Sequence, residues 1–133
     1  MVDSIGDKFV STIFITFSGN CRKALTFYQT CFGGTLQFET FEKKLPDYTE
    51  KPIVIGSLVS NRIIIHGSDL VHNEGRTLGN YMSIFVFCKS PEDRQMLRKK
   101  LDHHQPNPSG RNDEGQKLVE ITDAFDVRWV LGV

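Results

Sequence analysis

The sequence predicts an α+β fold: two tandem βαβββ modules whose curved mixed sheets surround a concave cleft. Three observations predict it. A strand-like run, a capped helix and a glycine stop come early in the chain, and a similar strand and capped helix return 70 residues later. After each copy come alternating apolar stretches broken by turn residues, which read as strands and hairpins. The repeat occurs only twice, at about 65–70 residues, which is too long and too few-fold for a solenoid. Neither module can cover its sheet alone, so the helices are expected on the outer faces, with an open concave surface within.

Each element has its own warrant. Residues 12–17, TIFITF, alternate and are rich in β-branched and aromatic types, which predicts a strand. Asn20 stands as N-cap of a helix with an apolar stripe of Cys21, Ala24, Leu25, Tyr28, Cys31 and Phe32. Gly33 and Gly34 stop that helix. TLQFETFE, residues 35–42, predicts a strand, and the polar, proline-bearing residues 43–52 a loop. IVIGSLVS and RIIIHG flank Ser60 and Asn61 as a hairpin, with Asn61 suited to positive φ. Residues 68–80 read as a loop or linker.

YMSIFVF, residues 81–87, is the strand that starts the second copy. Ser90 caps its helix, Pro91 takes the first helical position, and Glu92 and Asp93 suit the positive end of the dipole. Met96, Leu97 and Leu101 are expected to form the apolar face, and Arg98, Lys99 and Lys100 suit the C-terminal end. HHQPNPSGRN is at best a poor edge strand. KLVEIT and VRWVLG, joined by DAFD, predict a closing hairpin. The expected organisation is one domain over 1–133, with module one at about 10–68, a linker at 69–79 and module two at about 80–133.

Composition narrows the function classes. With 39% hydrophobic and 24% charged residues the chain is neither disordered nor fibrous. Sixteen basic residues balance sixteen acidic ones, so nucleic acid is not an expected partner. No apolar run approaches the roughly 20 residues that span a bilayer, and MVDSIGDKF lacks a signal-peptide pattern, so no membrane association is expected. Cys21, Cys31 and Cys88 are odd in number and form no CxxC pair, which fits reduced, buried thiols and a cytoplasmic location.

FSGNCRKALTFYQTCFGG, RIIIHGSD and ITDAFDVRWVLG together resemble segments of PhnB-like proteins. These belong to the vicinal oxygen chelate superfamily, with glyoxalase I, bleomycin-resistance proteins and ring-cleaving dioxygenases. The resemblance covers most of the chain and implies the glyoxalase/bleomycin resistance/dihydroxybiphenyl dioxygenase fold, and a homodimer. Ala124 and Asp126 stand where that family usually has Pro and Gly.

Catalytic members hold a divalent metal through side chains from four strands. Carried over by position, those places fall at Ile13, near Ile64, at Ser83 and at Val130. Isoleucine and valine have no donor atom and serine is a poor ligand for zinc or nickel, so no metal and no cofactor are expected. A second grouping, His66, Asp69, His72 and Glu74, lies within nine residues but fits no standard zinc spacing. His103 and His104 close a helix, where a cation suits the dipole.

Strand alternation sorts the faces. If Ile13 faces the cavity, so do Ile15 and Phe17, while Phe14 and Thr16 turn to the helix. In the second copy Ser83, Phe85 and Phe87 face in, and Met82, Ile84 and Val86 turn out. Arg62, Ile64 and His66 share the inner face, as do Arg128 and Val130, while Trp129 and Leu131 pack under a helix. The expected ligand-binding set is therefore Ile15, Phe17, His66, Phe85, Phe87 and Arg128: apolar walls with two polar points.

Two readings of this set stand at this level: the aromatics fill the groove as core, with Arg128 paired to Asp123 or Asp126, or they line a site. The favoured function is metal-free binding of a small aromatic or anionic molecule. The alternatives are a superfamily enzyme with a non-standard metal site near His66, and a dimeric interaction module without a ligand. PhnB-like proteins often carry a demethylubiquinone methyltransferase label, but no glycine-rich strand-to-helix turn for a nucleotide-like cofactor is present. Whether the chain is an enzyme is left open by its residues.

Overall fold

The computed structural model describes residues 11–41, 51–69, 78–104 and 115–133. The first sheet holds β1 (Ile13–Phe17), β2 (Thr35–Thr40), β3 (Ile53–Val59) and β4 (Ile64–Asp69), with helix α1 (Cys21–Phe32) against one face. The second holds β5 (Ile84–Phe87), β6 (Leu118–Thr122) and β7 (Arg128–Gly132), with helix α2 (Pro91–Leu101). Their strand orders are β1-β4-β3-β2 and β5-β7-β6. In each sheet the strand before the helix lies parallel to the last strand, and the remaining pairs are antiparallel. The repeat seen in the sequence is thus a repeat of topology. The expectations for residues 43–50, 70–77 and 105–112, including His72 and Glu74, lie outside the described residues.

The core forms where the helices cover the sheets. Helix α1 buries the expected stripe of Cys21, Ala24, Leu25, Tyr28, Cys31 and Phe32. It meets Leu58 and Ile65 of the first sheet and Trp129 and Leu131 of the second in one continuous cluster. Rings of Tyr28 and Trp129 stand 5.4 Å apart, edge to face, and Phe32 lies 5.3 Å from Trp129. Gly34 turns the chain into β2 at φ 105°, where a Cβ would run into the Val59 carbonyl oxygen, so glycine is required there on both counts.

Two buried carboxylates fasten this core. Asp69, at the end of β4, accepts from the backbone N–H of Gly19 (3.0 Å), Cys21 (2.9 Å) and Ile53 (2.8 Å). Asp123 accepts from Tyr28 Oη (2.6 Å) and Trp129 Nε1 (2.8 Å) on one oxygen, and from the N–H of Phe125 (2.8 Å) and Val127 (3.1 Å) on the other. Across the surface, Arg62 forks onto Asp93 at 3.1 and 3.2 Å, tying the β3–β4 turn to the start of α2.

Several expectations need correction. Asn20 occupies the N-cap of α1 but makes no side-chain cap bond; the Asp69 carboxylate, 48 residues away, takes the Cys21 N–H instead. Asn61 does not adopt positive φ; among the described non-glycine residues only Asp126 does, at 66°. Ser60 closes that hairpin instead, its Oγ accepting from the Ile63 N–H at 3.0 Å. Ser90 caps α2 as expected, accepting from the Asp93 N–H at 3.1 Å. Its buried stripe, however, is Arg94, Leu97, Arg98 and Leu101, and Met96 is exposed. Arg94 can be buried because its guanidinium donates to the Gln116 (2.7 Å) and Lys117 (3.3 Å) carbonyls while its stem covers apolar surface.

The largest correction concerns β1. Phe17 is fully buried beside Cys21 and Gly67, so Phe17, Ile15 and Ile13 belong to the helix-covered face. The open face carries Phe14 and Thr16. The parallel register agrees, setting Phe14 opposite His66 and Ile13 opposite the buried Ile65. Aligned on the caps, Phe17 matches Phe87, yet Phe87 is 71% exposed. The strand-to-helix connections of the two copies differ in phase by one residue, and a one-residue slip inverts every side chain.

The position of the α1 cap makes a direct prediction. Asn20→Ala should change unfolding free energy in urea by less than about 0.5 kcal/mol, as for an ordinary surface site. Asp69→Ala should cost more than about 2 kcal/mol, because two buried N–H donors and one half-buried one lose a charged acceptor.

Candidate functional site: a cleft between two sheet edges

β1 is an edge strand of the first sheet and β5 an edge strand of the second. Between them opens a cleft of about 490 Å³. Ile13, Phe14 and Ile15 line one side and Met82, Ser83, Ile84 and Phe85 the other, with Thr12, Val127 and Arg128 completing it. Consecutive residues line each side because the cleft runs along strand edges, so both alternation classes reach it. A smaller space of about 300 Å³ adjoins it at Thr12 and Ile13 and extends to the β3–β4 turn.

Phe85 is 55% exposed and Phe14 is 59% exposed, so neither ring is buried as core. Phe85 has its place because β7 ends in glycine: a Cβ at Gly132 would lie 2.7 Å from Phe85 Cζ. Among the described residues Arg128 is the only charged side chain lining the cleft. It bonds neither Asp123 nor Asp126 in the described contacts. Its Nη2 donates to Glu120 of the neighbouring strand β6, one step along from its register partner Thr122. Its Nε is buried without a hydrogen-bond partner among the described residues. The Arg128–Glu120 pair has side-chain exposures of 26% and 55%, so it contributes only about 0–1 kcal/mol.

The six sequence-predicted positions separate. Phe85, Arg128 and Ile15 line the cleft, Ile15 through the strand edge rather than the open face. Phe17 is core. His66 and Phe87 are on the open face but do not line the cleft; His66 Nδ1 is hydrogen-bonded to Ser57 Oγ at 2.9 Å. Phe14 was missed. Its signal in the sequence is the pairing of β1 with β4, which fixes its face but cannot be read from β1 alone.

Metal ligation finds no seat among the described residues, where no three His, Cys, Asp or Glu side chains converge. His66 and Asp69 lie on opposite faces of β4, and Asp69 is occupied by three backbone donors. Ile13, expected from the resemblance at the first metal place, packs against the helix-covered core, so that carry-over fails for β1.

The thiols are not nucleophiles either. Burial pushes Cys21 from 9.0 to about 12, with Asp69 adding to the shift, and Cys31 from 9.0 to about 11. Cys88 is raised by burial, with Arg62 opposing. A thiol raised in the folded state stays protonated while the unfolded chain ionises. The unfolded state therefore binds fewer protons between pH 9.0 and about 12, and stability falls as pH rises through that window. A thiol-specific chromophoric disulfide at pH 8 should leave all three cysteines unmodified in the folded protein and titrate all three in denaturant. Rapid labelling of the native chain would contradict this.

Comparison with solved structures places the fold. Protein PA1353 from Pseudomonas aeruginosa is similar at 21% identity and TM-score 0.71, over 94% of this chain and 97% of that one. A PhnB protein from Bacillus cereus, provisionally labelled a 3-demethylubiquinone-9 3-methyltransferase, gives 22% identity and TM-score 0.71, over 93% and 98%. Hypothetical protein SA1046 from S. aureus gives 14% identity and TM-score 0.57, over 95% of each chain. No protein-family profile matches the chain, and no curated protein does. At these identities the likeness shows the fold alone: paired modules of βαβββ type, shared with PA1353 and the PhnB protein over nearly the whole chain.

Proposed function

We propose that the protein binds a small organic molecule in the cleft between β1 and β5, without a metal. The observation that carries this reading is the cleft itself: about 490 Å³, walled by isoleucine and phenylalanine, with a single guanidinium at its side. That volume lies within the roughly 300–1,000 Å³ of small-molecule sites, and the mixture of apolar walls with few polar points is their usual make-up. No convergent donor set among the described residues offers an alternative built around an ion. An enzyme acting through a metal at His66 is disfavoured by the separation of His66 and Asp69 to opposite faces of β4.

The test is a ¹⁵N-detected screen of small aromatic and anionic compounds. Hits should shift resonances of residues 12–15, 83–85 and 127–128, and metal analysis of protein purified without chelator should find substoichiometric zinc, nickel and iron. Stoichiometric metal that disappears in His66→Ala would favour the enzyme reading.

The partner of the open sheet face is, on this proposal, a second copy of the chain. Phe14, Phe85, Phe87 and Leu118, each 55–71% exposed, stand on that face, and exposed apolar patches of this kind mark interaction surfaces. No described helix is long and apolar enough to cross a membrane, and three buried reduced thiols fit a cytoplasmic setting. Sedimentation equilibrium should give twice the chain mass, and Phe87→Glu should shift the protein to monomer. A wild-type monomer would remove the dimer from the proposal.

A further inference from the structure

Taking the cleft as the binding site proposed above, we infer that its ligand is a monocarboxylate on a flat apolar body, and that Glu120 keeps the ligand's place on Arg128 until it binds. A guanidinium offers Nε–H and Nη2–H as a parallel pair that matches the two oxygens of a carboxylate. Glu120 takes only the Nη2 half of that fork, and Nε is left buried without an acceptor among the described residues. A buried donor without a partner is unfavourable, so the site gains from an oxyanion that engages both nitrogens.

Glu120 can yield that place at little cost. Its side chain is 55% exposed, and an ion pair so open to water contributes only about 0–1 kcal/mol. The group it vacates is carboxylate-shaped. Among the described residues Arg128 is the only charged side chain of the cleft, which suits one negative charge. Beyond the guanidinium the walls are hydrocarbon, with Ile13 and Phe14 facing Ile84 and Phe85 across the gap. A planar ring or short alkyl chain fits such walls, whereas a sugar or a polyol would leave its hydroxyls unpaired.

Benzoate and the neutral benzyl alcohol test this, titrated into ¹⁵N-labelled protein with the arginine Nε–H resonances followed. Benzoate should move the Arg128 Nε–H signal and the cleft amides, and bind more tightly than benzyl alcohol. Glu120→Gln should tighten benzoate about two- to fivefold by removing the competing carboxylate. Arg128→Gln should weaken it by about tenfold or more, and Arg128→Lys, which keeps the charge but not the fork, should fall between. Glu120→Gln also carries the test if Arg128→Gln fails to fold. Equal binding of the two probes, or unchanged or weaker benzoate binding in Glu120→Gln, overturns the carboxylate assignment while the cleft reading stands. No perturbation of any cleft resonance by either probe removes both.

Discussion

Asp123 is the junction on which the two halves depend. Its carboxylate is 3% exposed and receives four donors: a phenol from the first helix, an indole from the last strand and two backbone N–H groups of its own turn. Each donor would be buried without a partner if the carboxylate were absent, which is the costly side of a buried hydrogen bond. Because Tyr28 and Trp129 are held at their polar tips, their rings pack at fixed angles, and Phe32 and Phe125 fill against them. The position of the second sheet under helix α1 follows. So does the distance between β1 and β5, and with it the cleft.

The turn that Asp123 organises also sets the start of β7. The Asp123 N–H donates to the Val127 carbonyl at 2.9 Å, and Asp126 reaches φ 66° to close the loop. A positive φ is tolerated by Asp more readily than by most residues, though less freely than by Gly. The next residue but one is Arg128, so the loop places the guanidinium at the cleft. Packing and site are therefore linked through six consecutive residues, 123–128: one end is bonded to the core and the other faces the gap.

Much of this was legible in the sequence, and the failures share a cause. Both helices, the β3–β4 and β6–β7 hairpins and the burial of Trp129 and Leu131 could be read, because each depends on periodicity and turn residues within a short window. The inner faces of β4, β5 and β7 were also correct. The face of β1 was not, because it rested on the place that the family resemblance gives Ile13, and the pairing of β1 with β4 that sets the face cannot be read from β1 itself. Asp69 as the cap of α1, and Glu120 as the partner of Arg128, need strand neighbours that no local pattern reveals. The burial of Arg94 and Arg98 in place of Met96 was hidden for another reason. An arginine can line a core when carbonyls meet its head, and hydropathy alone scores it as surface.

The bonds to Asp69 and Asp123 have a consequence for the order of assembly. The first helix is finished at both ends by groups that follow it in the chain: its leading turn by a carboxylate 48 positions on, its Tyr28 hydroxyl by one 95 positions on. A nascent chain leaving the ribosome therefore carries that helix incomplete until Asp123 has been made. Contacts so distant in sequence slow the search for the native state and join both halves in one cooperative step.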